Sequence, residues 1–147
     1  MLLLVLAVTA VTAARAAAVP SPLAGRLVTG GYVLAVAGLA VNLRISWLWL
    51  ALTGAALNTA VIAANGGRMP VSAQVIRDVS ARVVLDGATG PFYVLAGPET
   101  PLAPLGDTLP LVAGGVGVIL SPGDVLLALG VVATVQAGML AKPGTRR

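Results

Sequence analysis

Few side chains in this sequence are equipped for chemistry. The 147 residues include no histidine and no cysteine. Those gaps remove most zinc, iron and copper sites, which lean on imidazole or thiolate, and also the Ser-His and Cys-His nucleophile pairs. Ser72 and Ser121 have no evident base, and the single lysine, Lys142, stands at the far end of the chain. No catalytic residue, metal or cofactor is therefore expected. What remains is a handful of polar residues at corners. Arg68 and Asp107, with Asn65, are candidate contacts for an anion or a lipid headgroup, Asp107 serving as a switching counter-ion. The same residues would also serve a purely structural Arg68 to Asp107 clamp, or a contact between Arg68 and the freed carbonyls of a helix end.

Asn58 sits inside an apolar run, where an amide needs a partner on another helix or a wet cavity; interhelical bonding is the expected role. SPGD, from Ser121 to Asp124, reads as a helix start. Ser121 caps the first free N–H groups, Pro122 suits the first helical position, and Asp124 answers both the cap and the positive end of the dipole. Asp124 thus has a sufficient structural task.

The elements that hold these residues follow from composition. Of the residues, 58% are hydrophobic and only 10% charged, with a mean hydropathy of +0.99. An average soluble domain is roughly a quarter charged and about half apolar. A chain this short cannot bury such an excess in water, so a bilayer is the expected partner. The net charge of +4 comes from residues flanking apolar runs, and one Phe, two Tyr and two Trp offer little for base stacking. Lipid phosphate, not nucleic acid, is the expected counter-charge.

We expect an all-α membrane bundle of about four spans, near 1–19, 27–43, 45–64 and 124–141, in a single domain, each close to the roughly 20 residues a bilayer core requires. The first segment reads as a span or a cleaved signal peptide; the missing basic n-region favours the span, and cleavage would leave three. The second and third spans form a tight hairpin with Arg44 at its tip and Trp47 and Trp49 at the interface. Small residues recur every fourth position, at Ala51, Ala55, Thr59 and Ala63 on the third span and in the pairs Gly31 with Ala35 and Gly38 with Asn42 on the second, a spacing that lets helices approach closely. Lys142, Arg146 and Arg147 favour a cytoplasmic C-terminus, leaving the connection outside.

That connection, 65–120, is long enough to demand a reason. It opens on NGGRMP. Gly66 and Gly67 supply the left-handed angles that close a helix, and Pro70 keeps Met69 extended so that the chain leaves along the interface. An amphipathic helix is expected from Ala73 to Val84 with Ser72 as cap, then an extended FYVLA; Leu111 to Leu120 reads as extended or re-entrant.

LNTAVIAANGGRMPVS, PETPLAPLGDTLPL and SPGDVLLALG, in this order, resemble an uncharacterised family of small bacterial integral membrane proteins, classed as a domain of unknown function. The likeness covers roughly Asn42 to Val132. It implies a multi-pass protein of the bacterial cytoplasmic (inner) membrane and brings no activity or binding site with it. Two roles are then expected. The leading one is a non-catalytic structural or accessory component, packing with itself or with a partner in the membrane. The alternative is binding or transport of a lipid-like or anionic ligand at the NGGRMP and Gly106-Asp107-Thr108 corner.

Overall fold

A computed structural model describes residues 22–78, 92–113 and 116–140. The expected first span, the Val79 to Val84 half of the amphipathic helix and the basic C-terminal tail lie outside the described residues. Among those described, the chain is mostly helical: α1 Pro22–Ala40, α2 Leu48–Ala64, a short α3 Ala73–Asp78 and α4 Pro122–Leu140.

α1 and α4, each of 19 residues, are long and apolar enough to cross a bilayer. Only 17% and 11% of their apolar windows are buried inside the molecule, so neither is the core helix of this fold. Leu23, Leu27 and Val33 on α1, and Leu129, Val132, Val135 and Met139 on α4, point outward. α2 is shorter: its 17 residues rise about 25 Å, at the low end for a span.

The hairpin is wider than a turn at Arg44 alone. α1 stops at Ala40 and α2 starts at Leu48, against expected edges of Leu43 and Ile45. Two local causes account for this. Asn42 Nδ2 donates to the Gly38 carbonyl at 2.7 Å, terminating α1. Trp47 takes a left-handed φ of 69°, which a helix interior forbids, so α2 begins after it.

α2 is the centre of the bundle, packed on α1 and more extensively on α4. Ala51 and Ala55 lie in its buried face with Gly54, Asn58, Val61 and Ile62, whereas Ala63, at the end of the expected ladder, is exposed. Thr59 is half-buried and donates its hydroxyl to the Ala55 carbonyl at 2.7 Å. Across the seam, α4 contributes Gly123 and Gly130. A methyl group added at Gly130 would strike the Ala51 backbone, and one at Gly54 would strike the Gly123 carbonyl, so backbone meets backbone here.

The all-α expectation needs one correction, because the connection also contains strands. β1 Met69–Val71 pairs in parallel with β2 Tyr93–Leu95, Met69 opposite Tyr93. β3 Leu109–Ala113 and β4 Val116–Leu120 form an antiparallel hairpin, so the segment read as extended or re-entrant is extended. Gly and Pro punctuate this stretch too often for a helix, while its valines and leucines suit a pleated surface. The main core cluster lies where connection meets bundle: Val28, Val61, Ile62 and Met69, with Tyr32, Phe92, Tyr93 and Leu105 against it.

Candidate functional site

α2 ends in a Schellman turn. Gly67 N–H donates to the Ile62 carbonyl at 2.9 Å and Gly66 N–H to the Ala63 carbonyl at 3.4 Å, with φ of 64° at Gly66 and 87° at Gly67. Gly67 has a second duty. A side chain there would overlap the Gly25 backbone of α1, and one at Gly25 would overlap the Gly66 carbonyl. The glycine pair therefore reverses the chain and seats α1 on the reversal.

From this corner the chain enters β1, whose two edges are both used. Met69 N–H donates to the Phe92 carbonyl at 2.7 Å on the β2 side. On the other side Asp107 N–H donates to the Pro70 carbonyl at 2.8 Å, and Ser72 N–H to the Asp107 carbonyl at 3.0 Å. Gly106 lies flush against Pro70, where a methyl group would strike the Pro70 carbonyl. Asp107 is thereby fixed by its backbone on both sides, and only 8% of its surface is exposed.

The third corner is the start of α4. Asp124 N–H donates to Ser121 Oγ at 2.9 Å and Ser121 N–H to Asp124 Oδ2 at 2.9 Å, the reciprocal capping box expected from SPGD. Asn58 reaches this cap from α2. Its Nδ2 donates to Asp124 Oδ1 at 2.7 Å, and its Oδ1 accepts from Ser121 Oγ at 2.8 Å. The interhelical role expected of Asn58 is thus met in full, and the space around Gly123 is filled by its amide.

These three corners enclose a cavity of about 160 Å³, lined by Val28 and Tyr32 of α1, Asn58 and Ile62 of α2, Gly67, Met69, Phe92, Tyr93, Asp107, Ile119 and Asp124. Two carboxylates share it. Burial, and secondarily the charge of Asp124, raises the Asp107 carboxyl from its ordinary 3.8 to about 7. Among the described residues no arginine lines the cavity.

The remaining expected contacts fall elsewhere. Arg68 is exposed and forms no ion pair with Asp107, so the clamp is not made. Its geometry explains why: the left-handed glycines turn Arg68 outward while the β1 bridge turns Asp107 inward. Asn65 caps α2 through its Nδ2, which donates to the Val61 carbonyl at 2.8 Å and to the Pro101 carbonyl at 3.0 Å, tying helix end to connection. Sequence reasoning passed over Tyr32, Phe92 and Tyr93. One signal was there: these are every Phe and Tyr in the chain.

Chemically, the site offers one buried acid able to gain or lose a proton near neutrality, a second acid already engaged by a cap and an amide, and three aromatic rings. Among the described residues no group of three or more His, Cys, Asp or Glu side chains could hold a metal ion. The three segments LNTAVIAANGGRMPVS, PETPLAPLGDTLPL and SPGDVLLALG each send residues into this one cavity: Asn58, Gly67 and Met69 from the first, Asp107 from the second, Asp124 from the third. No curated protein and no solved structure matches the chain. A family model does match, over residues 1–136, and the protein belongs to that family, DUF5317, a family of unknown function.

Proposed function

We propose that this is a non-catalytic, multi-pass protein of the bacterial cytoplasmic membrane that binds a small ligand in the cavity between its helix ends and its connection. One observation carries the reading. Asp107 is held by backbone bonds on both sides in a place where its carboxyl is desolvated and set against Asp124, at a cost to the fold. A buried acid with no counter-ion among the described residues, facing a cavity, is what a binding site demands and a scaffold has no use for.

Binding is favoured over catalysis because Asp124 has both oxygens engaged, by Asn58 and by the Ser121 N–H. That leaves a single free acid, and acid–base hydrolysis by paired carboxylates requires two. Binding at this corner was anticipated for an anion, but the charge of the cavity favours the opposite sign. The structural or accessory role is the second reading, supported by the apolar outer faces of α1 and α4, which a bilayer covers equally well.

Ligand-dependent protection tests the proposal. In the purified full-length protein, a cysteine replacing Ile119 on the cavity wall is the only thiol. Its alkylation is expected to slow when a membrane extract of small metabolites is added, and to slow less in the same protein carrying Asp107→Asn. Equal rates with and without extract would remove the binding role.

A further inference from the structure

We infer that the ligand of this cavity is a small organic ammonium ion, held by the carboxylate of Asp107 and the rings of Tyr32, Phe92 and Tyr93, with the charge of the engaged Asp124 beside it. The inference rests on the binding role proposed above and names its substrate class. Charge decides the sign. Two carboxyl groups line the cavity and no described arginine or lysine does, so the charge on its described wall favours a cation over an anion.

The rings decide the kind of cation. The chain has one Phe and two Tyr, and all three line this cavity, although they come from α1, the residue before β2 and β2 itself. Ring faces attract weakly hydrated ammonium groups, and an acid beside an aromatic wall is the usual cage for them. A hard metal ion would need six or more oxygens. Here the Asp124 oxygens already accept from Asn58 Nδ2 and the Ser121 N–H, and the Asn58 oxygen accepts from Ser121 Oγ. Size sets the upper limit: a dry cavity of about 150 Å³ accepts benzene, so the 160 Å³ here holds a cation of about six heavy atoms.

Entry of such a cation also balances charge. Among the described residues, the titratable groups that share the cavity with Asp107 are Asp124 on α4, Tyr32 on α1 and Tyr93 on β2, while Arg68 on the turn is exposed. When the ammonium ion enters, the proton on Asp107 leaves to solvent, and the cavity keeps the same net charge. Asp107, which holds its proton to about pH 7, makes that exchange available near neutrality.

The test is calorimetric titration of the full-length protein in detergent with tetramethylammonium chloride, against sodium chloride at equal ionic strength and tert-butanol as a neutral molecule of similar shape. Saturable tetramethylammonium binding is expected at about pH 8, weaker by about tenfold or more at about pH 5.5 and in Asp107→Asn. Tyr93→Leu, which leaves both acids in place, is expected to weaken it by about fivefold. Titration near pH 7 in two buffers of different ionisation heat should report release of about half a proton, rising toward one as the pH is lowered to about 6. If tert-butanol binds as well as tetramethylammonium and Asp107→Asn changes neither, the ammonium inference fails and the binding role survives. Sodium binding as tight as tetramethylammonium also overturns the inference. If no probe gives saturable heat, the ammonium inference fails, and the binding role stands or falls on protection of the cysteine at position 119.

Discussion

Gly66 and Gly67 are adjacent, both left-handed, and should respond very differently to alanine. At Gly66 a new methyl group meets nothing within reach, so the cost is the backbone angle alone. A left-handed L-residue costs about 1–2 kcal/mol, partly offset by the stiffer unfolded chain, leaving about 1 kcal/mol. At Gly67 the same strain is joined by overlap with the Cα, carbonyl carbon and oxygen of Gly25, which are backbone atoms and cannot rotate away. α1 must lift. Lifting it exposes Val28, now 4% accessible, and Tyr32 from the cluster with Val61, Ile62 and Met69. Exposing one such side chain costs about 1.5–3 kcal/mol, for a total of about 3–4 kcal/mol. At about 3 °C per kcal/mol for a chain of this size, Gly66→Ala should lower the melting midpoint by about 3 °C and Gly67→Ala by about 10 °C. Melting of the two proteins in detergent, followed by circular dichroism, makes the comparison. Equal losses would refute the seating of α1 on the turn, and with it one wall of the cavity.

Further outcomes follow from the same contacts. Asp107→Asn should stabilise the protein by an amount that grows from nothing below about pH 4 to its full value above about pH 7. The unfolded carboxyl ionises near 3.8 and the folded one near 7, so stability tied to this acid is full below about pH 4 and falls as pH rises to about 7. Three units correspond to about 4 kcal/mol, and screening by water in the cavity reduces the expected gain to about 2 kcal/mol above pH 7. Melting curves of wild type and variant that stay parallel from acid to alkaline pH would contradict this. Ser121→Ala removes both the cap of α4 and the hydroxyl on Asn58, and should cost about 2–3 kcal/mol in denaturant titrations. Arg68→Ala should change stability by less than about 0.5 kcal/mol and leave cavity binding intact, as an exposed side chain without an ion partner.

What could be read in the sequence was local. The Ser121 to Asp124 box and the Gly66-Gly67 turn depend on residues within one helical turn of each other, and both stand in the structure as expected. Asn58 was legible in kind, because an amide in an apolar run must find a partner, but not in identity: Asp124 is 66 residues away. Pairing of β1 with β2 and the bridge to Asp107 are set by how distant segments meet, which no periodicity encodes. For that reason Asp107 was matched with Arg68 on charge, when the backbone turns them to opposite sides. Helix edges moved because Trp47 adopts a left-handed angle that indole chemistry does not announce. The aromatic lining escaped notice because Tyr32, Phe92 and Tyr93 are scattered along the chain and converge only in the folded protein.

Carbon-13 NMR of the full-length protein labelled at aspartate carboxyls measures the central quantity directly. Four aspartates are present, Asp78, Asp86, Asp107 and Asp124, so single Asp→Asn variants assign every signal. The Asp107 carbon is expected to titrate near 7, as burial beside Asp124 requires. An Asp107 signal that titrates near the ordinary 3.8 would place that carboxyl in water and leave the cavity without its acid.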